Sequence, residues 1–309
     1  MKILITGATG FLGRRLCLRL SQDGHQLVVL TRNPARSKDL ISVPHEAVKW
    51  DTQADPSLLT FQPSFRDIEV VLSFAGESIA AKRWSFEQKK KIYQSRVQAS
   101  ERLFAQLAKM GVKPRVLISA SAVGYYGTLD QSVHAEASQS GQDFLAQICQ
   151  AWEKTVWNSP FSDARQLVLR FGMILGTKGG ALPKLVTVFK LGLGGKLGKG
   201  KQGMSWIHIN DAIEAIRFCL NSDKLSGPIN VCAPQLVTNA QFTEALGAVL
   251  RRPTFFTVPG IVLRIAVGEM ADMLLGGQKV VPQKLLASGF KFQFPDLKPA
   301  LENLLSDKE

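Results

Sequence analysis

The chain has 309 residues, 45% of them hydrophobic, which is long enough for a well-buried core and too apolar for disorder to be expected. No apolar run approaches the roughly 20 residues that a membrane span requires, and Met1 leads straight into Ile3-Leu4-Ile5 without a basic start, so neither a span nor a secretory leader is expected and a cytoplasmic protein is. Thirty-eight basic against 25 acidic residues give a net charge of +13, a field that concentrates anions; without aromatic interleaving or a nucleic-acid-binding motif it points to a phosphate-bearing cofactor or an anionic small-molecule substrate, and away from nucleic acid.

The first elements follow from hydrophobic period. Lys2–Thr6 reads as a buried strand, and Phe11–Gln22 carries Leu12, Leu16 and Leu20 at helical spacing before Gly24 stops it. Strands are expected at Gln26–Thr31, Ala47–Asp51 and Glu69–Ala75. A long helix between Trp84 and Met110 places Ile92, Ala99, Leu103, Leu107 and Met110 on one stripe. Val116–Ser121, a helix over Phe144–Val156 and Gln166–Phe171 complete an alternation of strand and helix. That alternation predicts an α/β fold, a doubly wound parallel sheet of Rossmann type.

Beyond Gly172 the pattern changes to a Gly- and Lys-rich stretch through Gly203, a helix near Asp211–Leu220, a strand at Ile229–Val231 and a helical, Pro-punctuated tail. The expected organisation is a nucleotide-binding domain over 1–172 with part of 205–235, and a smaller C-terminal α/β lobe over 173–309 on the substrate side. A cleft between them is expected. From Lys178 to Asn210 there are six lysines and no acid, which suits a mobile cover for an anionic ligand. Two other readings compete: a core-packed helix with solvated lysines, or Leu182–Leu191 lying on an anionic membrane. Cys17, Cys149, Cys219 and Cys232 lie apart among apolar neighbours and the four histidines are dispersed, so reduced core thiols and no metal site are expected.

Directly after the first strand comes Thr6-Gly7-Ala8-Thr9-Gly10-Phe11-Leu12-Gly13. Gly7 serves the tight turn, Gly10 lets backbone amides approach a pyrophosphate, and Gly13 lets helix and strand pack closely. The helix N-terminus is the anion site. Gly7, Thr9, Gly10, Phe11, Leu12 and Gly13 are therefore assigned to cofactor binding. After the second strand, where an NAD site places an acid on the ribose hydroxyls, the chain has Thr31-Arg32-Asn33, with Arg36 one turn on. An arginine pairs bidentately with a 2′-phosphate that an acid would repel. Thirty-one, 32 and 36 thus favour NADP(H) over NAD(H), against the competing reading of Arg32 as a solvated surface arginine.

The Thr-Gly-x-x-Gly-x-x-Gly start resembles the extended branch of the short-chain dehydrogenase/reductase superfamily. Further stretches resemble its epimerase/dehydratase-like "epimerase family" subgroup, which carries a C-terminal domain of unknown function, here at about 253–303. They are Ser73-Phe74-Ala75-Gly76-Glu77, Ser95-Arg96-Val97, Ser119 through Gly127, Trp152-Glu153, Arg170-Phe171-Gly172, Gly194-Gly195, Gln202 and Ser205 through Asp211. Gly268-Glu269-Met270, Gln278 through Pro282 and Gly289-Phe290 continue the match in the tail. The resemblance implies that Phe74, Ala75 and Gly76 pass beneath the cofactor and that Arg96 reaches its phosphate or ribose; an ion pair of Arg96 with Glu101 is the rival. Trp206, His208 and Asp211 are expected to help close the second lobe.

The superfamily's proton relay is a Tyr-x-x-x-Lys pair after the fifth strand, and placing it by Glu153 puts Leu145 and Cys149 at those positions. Neither side chain does that work. Ser121 remains as the serine that orients substrate, and Tyr125 and Tyr126 are the candidate replacement acids, each weighed against a packing role. Two functions stay open: an NADP(H)-dependent oxidoreductase or epimerase acting on a small hydroxyl- or carbonyl-bearing substrate, or a non-catalytic NADP(H)-binding protein that reports redox state. Oligomeric state is not legible.

Overall fold

Ile3, Leu4 and Ile5 are fully buried, the continuous apolar run of a parallel strand covered on both faces. In a computed structural model, which describes residues 1–51, 62–130 and 132–306, they form β1, Lys2–Thr6. The sheet continues with β2 (Gln26–Thr31), β3 (Glu46–Lys49), β4 (Val70–Ser73), β5 (Val116–Ala122), β6 (Arg165–Phe171) and β7 (Gly227–Val231). Its seven strands run in the order β7-β6-β5-β4-β1-β2-β3. β1 is central, with Ile3 opposite Leu27 of β2 on one side and Val70 of β4 on the other, both parallel. The chain order reverses between β1 and β4. In an open α/β sheet that switch point, at the carboxyl ends of the strands, is where ligands bind. β4 ends at Ser73, two residues before the expected Ala75, because Thr6 Oγ1 accepts hydrogen bonds from Phe74 N (3.0 Å) and Ala75 N (3.1 Å) and turns the chain out of the ladder.

Helix α1, Phe11–Gln22, buries Gly13, Leu16, Cys17 and Leu20; of the expected stripe Leu16 and Leu20 are buried and Leu12 is half-buried. A helix that the sequence did not announce, α2 (Pro34–Leu40), starts on an Asn33 cap whose side chain accepts from Arg36 N, with Pro34 in its first turn. The single helix expected between Trp84 and Met110 is instead α3 (Phe86–Tyr93), a π-helical turn over Gln94–Gln98, and α4 (Ala99–Lys109). The stripe survives, since Ile92, Ala99, Leu103 and Leu107 are buried. The wide turn is occupied by Ser95, whose hydroxyl donates to Ile92 O at 3.1 Å. α5 is Phe144–Trp157, α6 Leu182–Lys190, α7 Ile209–Asn221 and α8 Asn239–Leu250.

Contacts divide the chain into two units. One comprises Met1–Ser121, Ile148–Leu169 and Ile216–Pro228, the other Ala122–Gln147, Arg170–Ala215 and Ile229 onward. The first has a core of Leu4, Val28, Leu30, Val71, Leu117 and Val168 packed on Leu103, Phe104 and Leu107. The second has its own core, built around Leu182, Phe189, Trp206, Phe242, Leu246 and Leu301. Short parallel ribbons stitch this second unit: Met173–Leu175 with Trp206–His208, Gly195–Leu197 with Phe256–Val258, and Val133–His134 with Lys279–Val280.

The Gly- and Lys-rich stretch packs on this second core. Leu182 and Phe189 of α6 are buried, Leu197 N donates to Asn239 Oδ1 at 2.8 Å, and Gln202 Nε2 donates to Leu197 O and Leu274 O. A side chain at Gly194 would strike the Phe189 ring. All four cysteines are buried and none is in a disulfide, and burial pushes the Cys17 and Cys219 thiols up to about 12. Among the described residues no group of acids, histidines and cysteines is placed to hold a metal, and no helix is long and apolar enough to cross a membrane.

Candidate functional site

The three glycines after β1 are needed for three different reasons. Gly7 has φ +75, and a Cβ there would lie 2.6 Å from Phe74 O and 2.9 Å from Ala75 N; it is the only residue type that makes this turn against the neighbouring loop. At Gly13 a Cβ would lie 2.2 Å from Gly7 O and 2.6 Å from Ala8 Cα, so this glycine lets α1 close onto the turn. At Gly10 the fold is less demanding, with Gly7 O the sole crowding atom at 3.1 Å. Gly10 caps α1 with no side-chain hydrogen bond, and the first turn holds no acid. The first amides of a helix have no partner within it, and together with the helix dipole they form a site for an anion. Thr9 lies in the turn, and Phe11 and Leu12 open the helix between Gly10 and Gly13.

Past β2, Asn33 N donates to Thr31 Oγ1 at 3.4 Å and Asn33 Oδ1 accepts from Arg36 N at 3.0 Å, which folds the chain into α2. Arg32 and Arg36 are both exposed, and among the described residues no carboxylate pairs with either. No acid stands at the end of β2. The strand end offers positive charge and hydroxyl where an NAD site offers a carboxylate.

Opposite this turn the loop after β4 is clamped from α3–α4. Ser95 Oγ accepts from Glu77 N at 3.0 Å, and Arg96 Nη1 donates to Glu77 O at 2.8 Å. The Arg96 guanidinium lies so close under Gly76 that a Cβ there would come within 3.1 Å of Cζ. Its other face covers the Trp152 ring, 5.2 Å from the centroid. Burial lowers its pKa, while the neighbouring Cys149 and Glu77 oppose the shift. No ion pair with Glu101 forms; the guanidinium is spent on the loop and on α5. The π turn presents Ser95 and Arg96 to the same loop, and such single wide turns recur at functional sites.

Ser121 ends the first unit's share of β5 and is buried; its hydroxyl donates to the equally buried Glu153 at 2.8 Å. The serine hydroxyl therefore stands against a carboxyl oxygen. On α5, Leu145 and Cys149 occupy the places discussed above, and the indole N–H of Trp152 is buried without a hydrogen-bond partner.

The two tyrosines lie in the second unit, in a 3-10 turn over Val123–Tyr126. Tyr126 is locked: its hydroxyl donates to Asn230 Oδ1 at 2.7 Å and accepts from Arg170 Nη1 at 2.9 Å, while its ring stacks on His134. Burial drives its pKa up to about 12, against the pull of Arg170. Tyr125 is half-buried, its ring 3.4 Å from the Arg170 guanidinium. Asp211 is fully buried, accepting from Gln293 N (2.8 Å) and Phe294 N (2.9 Å), and burial raises its pKa against those two bonds. His208 stacks on Phe294 and accepts from Asn210 N through Nδ1. Both tie the C-terminal segment to α7. Sequence reasoning gave no role to Thr6, Ser95 or Glu153, which organise the loops from behind; position next to a motif was the only signal they carried.

Residues 3–232 match the model of the NAD dependent epimerase/dehydratase family, and residues 258–304 match a domain of unknown function, DUF1731. The chain is 36% identical over its whole length to the epimerase family protein YfhF of Bacillus subtilis, 99% of which is covered. It superimposes on the crystal structure of human epimerase family protein SDR39U1 with NADPH at a TM-score of 0.88 and 31% identity, covering 99% of this chain and all of that one. UDP-glucuronic acid 4-epimerase of Bacillus cereus, at 17% identity and a TM-score of 0.76 over 98% of each chain, shares the fold.

Proposed function

This chain belongs to the NAD dependent epimerase/dehydratase family, and from that premise we propose that it binds NADP(H) in preference to NAD(H) and acts as an oxidoreductase or epimerase on a small, anionic substrate bearing a hydroxyl or carbonyl. One observation carries the reading: an uncapped helix start behind Gly7 and Gly10 stands beside a strand end that carries Arg32 and no acid. The resident group would supply hydride transfer. The amides that open α1 would hold its pyrophosphate, and Thr31, Arg32 and Arg36 its 2′-phosphate. Phe74, Ala75 and Gly76 would form the floor beneath it, a floor held from behind by Arg96. That the human relative was crystallised with NADPH supports the cofactor class.

Proton handling differs from the superfamily's. Tyr126 is committed to Asn230 and Arg170 and titrates far above neutrality, so its role is to hold the second unit's core. Tyr125 lies against Arg170 and is the weaker of the remaining candidates. In the oxidative direction Ser121 would take the proton of a substrate hydroxyl as it hands its own to Glu153, its acceptor at 2.8 Å, and the reverse transfer would serve reduction. With Leu145 and Cys149 in place of tyrosine and lysine, generic ketones and sugar nucleotides turn over slowly. The same two residues favour the second reading, a non-catalytic NADP(H)-binding protein that reports redox state to a partner.

Turnover on a broad carbonyl panel separates the two. Wild type is compared with Ser121→Ala, Tyr125→Phe, Tyr126→Phe and the Leu145→Tyr/Cys149→Lys double variant. Slow wild-type rates that fall at least about tenfold in Ser121→Ala support the enzyme reading. Rates at background in every protein support the reporter. Brisk wild-type turnover abolished by Tyr126→Phe would show that the locked phenol is the acid after all.

A further inference from the structure

The second unit carries an apolar face that its own core leaves uncovered. The helix Gly260–Val267, sequence GIVLRIAV, contributes no buried residue. Just before it, Phe255 is 90% exposed and Phe256 58%. The ribbon pairing sets Phe256 opposite Gly195 in parallel register, which brings the exposed Leu191 and Leu193 to the same end of the ribbon as the two phenylalanines. Ile261, Val262 and Ile265, on the helix that leaves the other end of this three-residue ribbon, are exposed as well. α6 differs, because it turns Leu182 and Phe189 inward. Within Leu182–Leu191 the exposed apolar side chains are Val188 and Leu191.

Charge is concentrated on the same two segments. Residues 178–210 carry six lysines and residues 251–268 three arginines, with no aspartate or glutamate in either; all nine side chains are exposed. Arg264 is in an ion pair, with Asp272 at 3.1 Å, and among the described residues no acid pairs with Arg251 or Arg252. A second copy of the chain would bring the same positive field to the contact, which opposes self-association. Aromatic and branched apolar side chains fringed by Lys and Arg, on a helix of eight residues that is too short to span, match the chemistry of a bilayer interface. There phenylalanines enter the acyl boundary and long cationic side chains reach back to lipid phosphates. We propose that this face docks the protein reversibly onto an anionic phospholipid surface.

The test uses the full-length protein and co-sedimentation with vesicles of phosphatidylcholine, with and without phosphatidylglycerol. Binding is expected to the anionic vesicles only, and to weaken as salt is raised. Phe255→Ser/Phe256→Ser removes two exposed side chains and is expected to lower partitioning by about tenfold or more, with thermal midpoint and NADPH affinity unchanged. Arg251→Glu/Arg252→Glu is expected to lower it comparably by reversing the local charge. Failure to pellet with anionic vesicles, or equal pelleting with neutral ones, overturns the proposal. So does a dimer in light scattering that the phenylalanine variant dissociates, because a second copy would then be the occupant.

Discussion

Two turns follow sheet strands in this molecule, and they treat their polar groups in opposite ways. After β1 the chain leaves groups open: the helix that begins at Phe11 has no side-chain cap, and among the described residues no carboxylate pairs with Arg32 at the neighbouring strand end. After β5 the turn over Val123–Tyr126 closes on itself, with Tyr126, Asn230, Arg170 and Glu136 joined by hydrogen bonds within the second unit. Both turns stand out in the sequence as motifs. What separates a binding motif from a structural one is whether the protein uses up the hydrogen-bonding capacity itself, because buried polar groups are satisfied internally wherever no ligand is to satisfy them.

The comparison is broken first within the glycine turn. Gly13→Ala forces a Cβ into the backbone of Gly7 and Ala8, and a loss of about 3 kcal/mol or more is expected in chemical denaturation. Gly10→Ala meets only Gly7 O at 3.1 Å, so stability should hold to within about 1 kcal/mol, while NADPH affinity falls by about tenfold or more on calorimetric titration because the methyl stands in the anion's approach. A Gly10→Ala protein that unfolds as readily as Gly13→Ala would assign all three glycines to packing. In the closed turn, Tyr126→Phe leaves Asn230 Oδ1 and Arg170 Nη1 each short of a buried partner. A cost of about 1–3 kcal/mol is expected in thermal unfolding, with NADPH affinity unchanged.

The smallest effect is expected at Asp23, which receives two hydrogen bonds from Arg217 of α7, each of 2.6 Å. That arginine holds the Asp23 carboxyl below its ordinary value. For an acid whose folded pKa is depressed, the contribution is present above the unfolded value and fades as pH falls through the folded one. Asp23→Asn should cost about 1 kcal/mol or less at neutral pH, given the pair's exposure, and the gap to wild type should narrow as unfolding is followed into acid. A gap that widened there would reverse the assignment.

How far the sequence could be read follows the same division. β1, α1 and β2 were legible to the residue, because a strand buried on both faces and an amphipathic helix announce themselves by period, and the glycines fix the turn between them. The π turn at Gln94–Gln98 was not, since one extra residue in a turn leaves the apolar stripe nearly intact. Nor was α2, seven residues beginning with a capped proline, or the two- and three-residue ribbons of the second unit, which are shorter than any periodicity. Around the candidate site, the need for glycine at Gly7 and Gly13 was legible because the turn that demands it is local, and the roles proposed for Gly10 and Arg32 rest on the same local pattern. The hold of Arg96 on Glu77 and Trp152, and of Glu153 on Ser121, joins residues 19 to 56 positions apart in sequence, which no local pattern records.

The proposed role of Arg32, at the strand end beside the open turn after β1, is to favour a dinucleotide that carries a 2′-phosphate. Parallel calorimetric titrations of NADPH and NADH into wild type and Arg32→Ala test it most directly. A charge-assisted hydrogen bond is worth roughly 1.5–3 kcal/mol, so wild type should prefer NADPH by about tenfold or more, and Arg32→Ala should lose that preference with NADH affinity unchanged. Equal affinity of wild type for the two nucleotides would contradict the account.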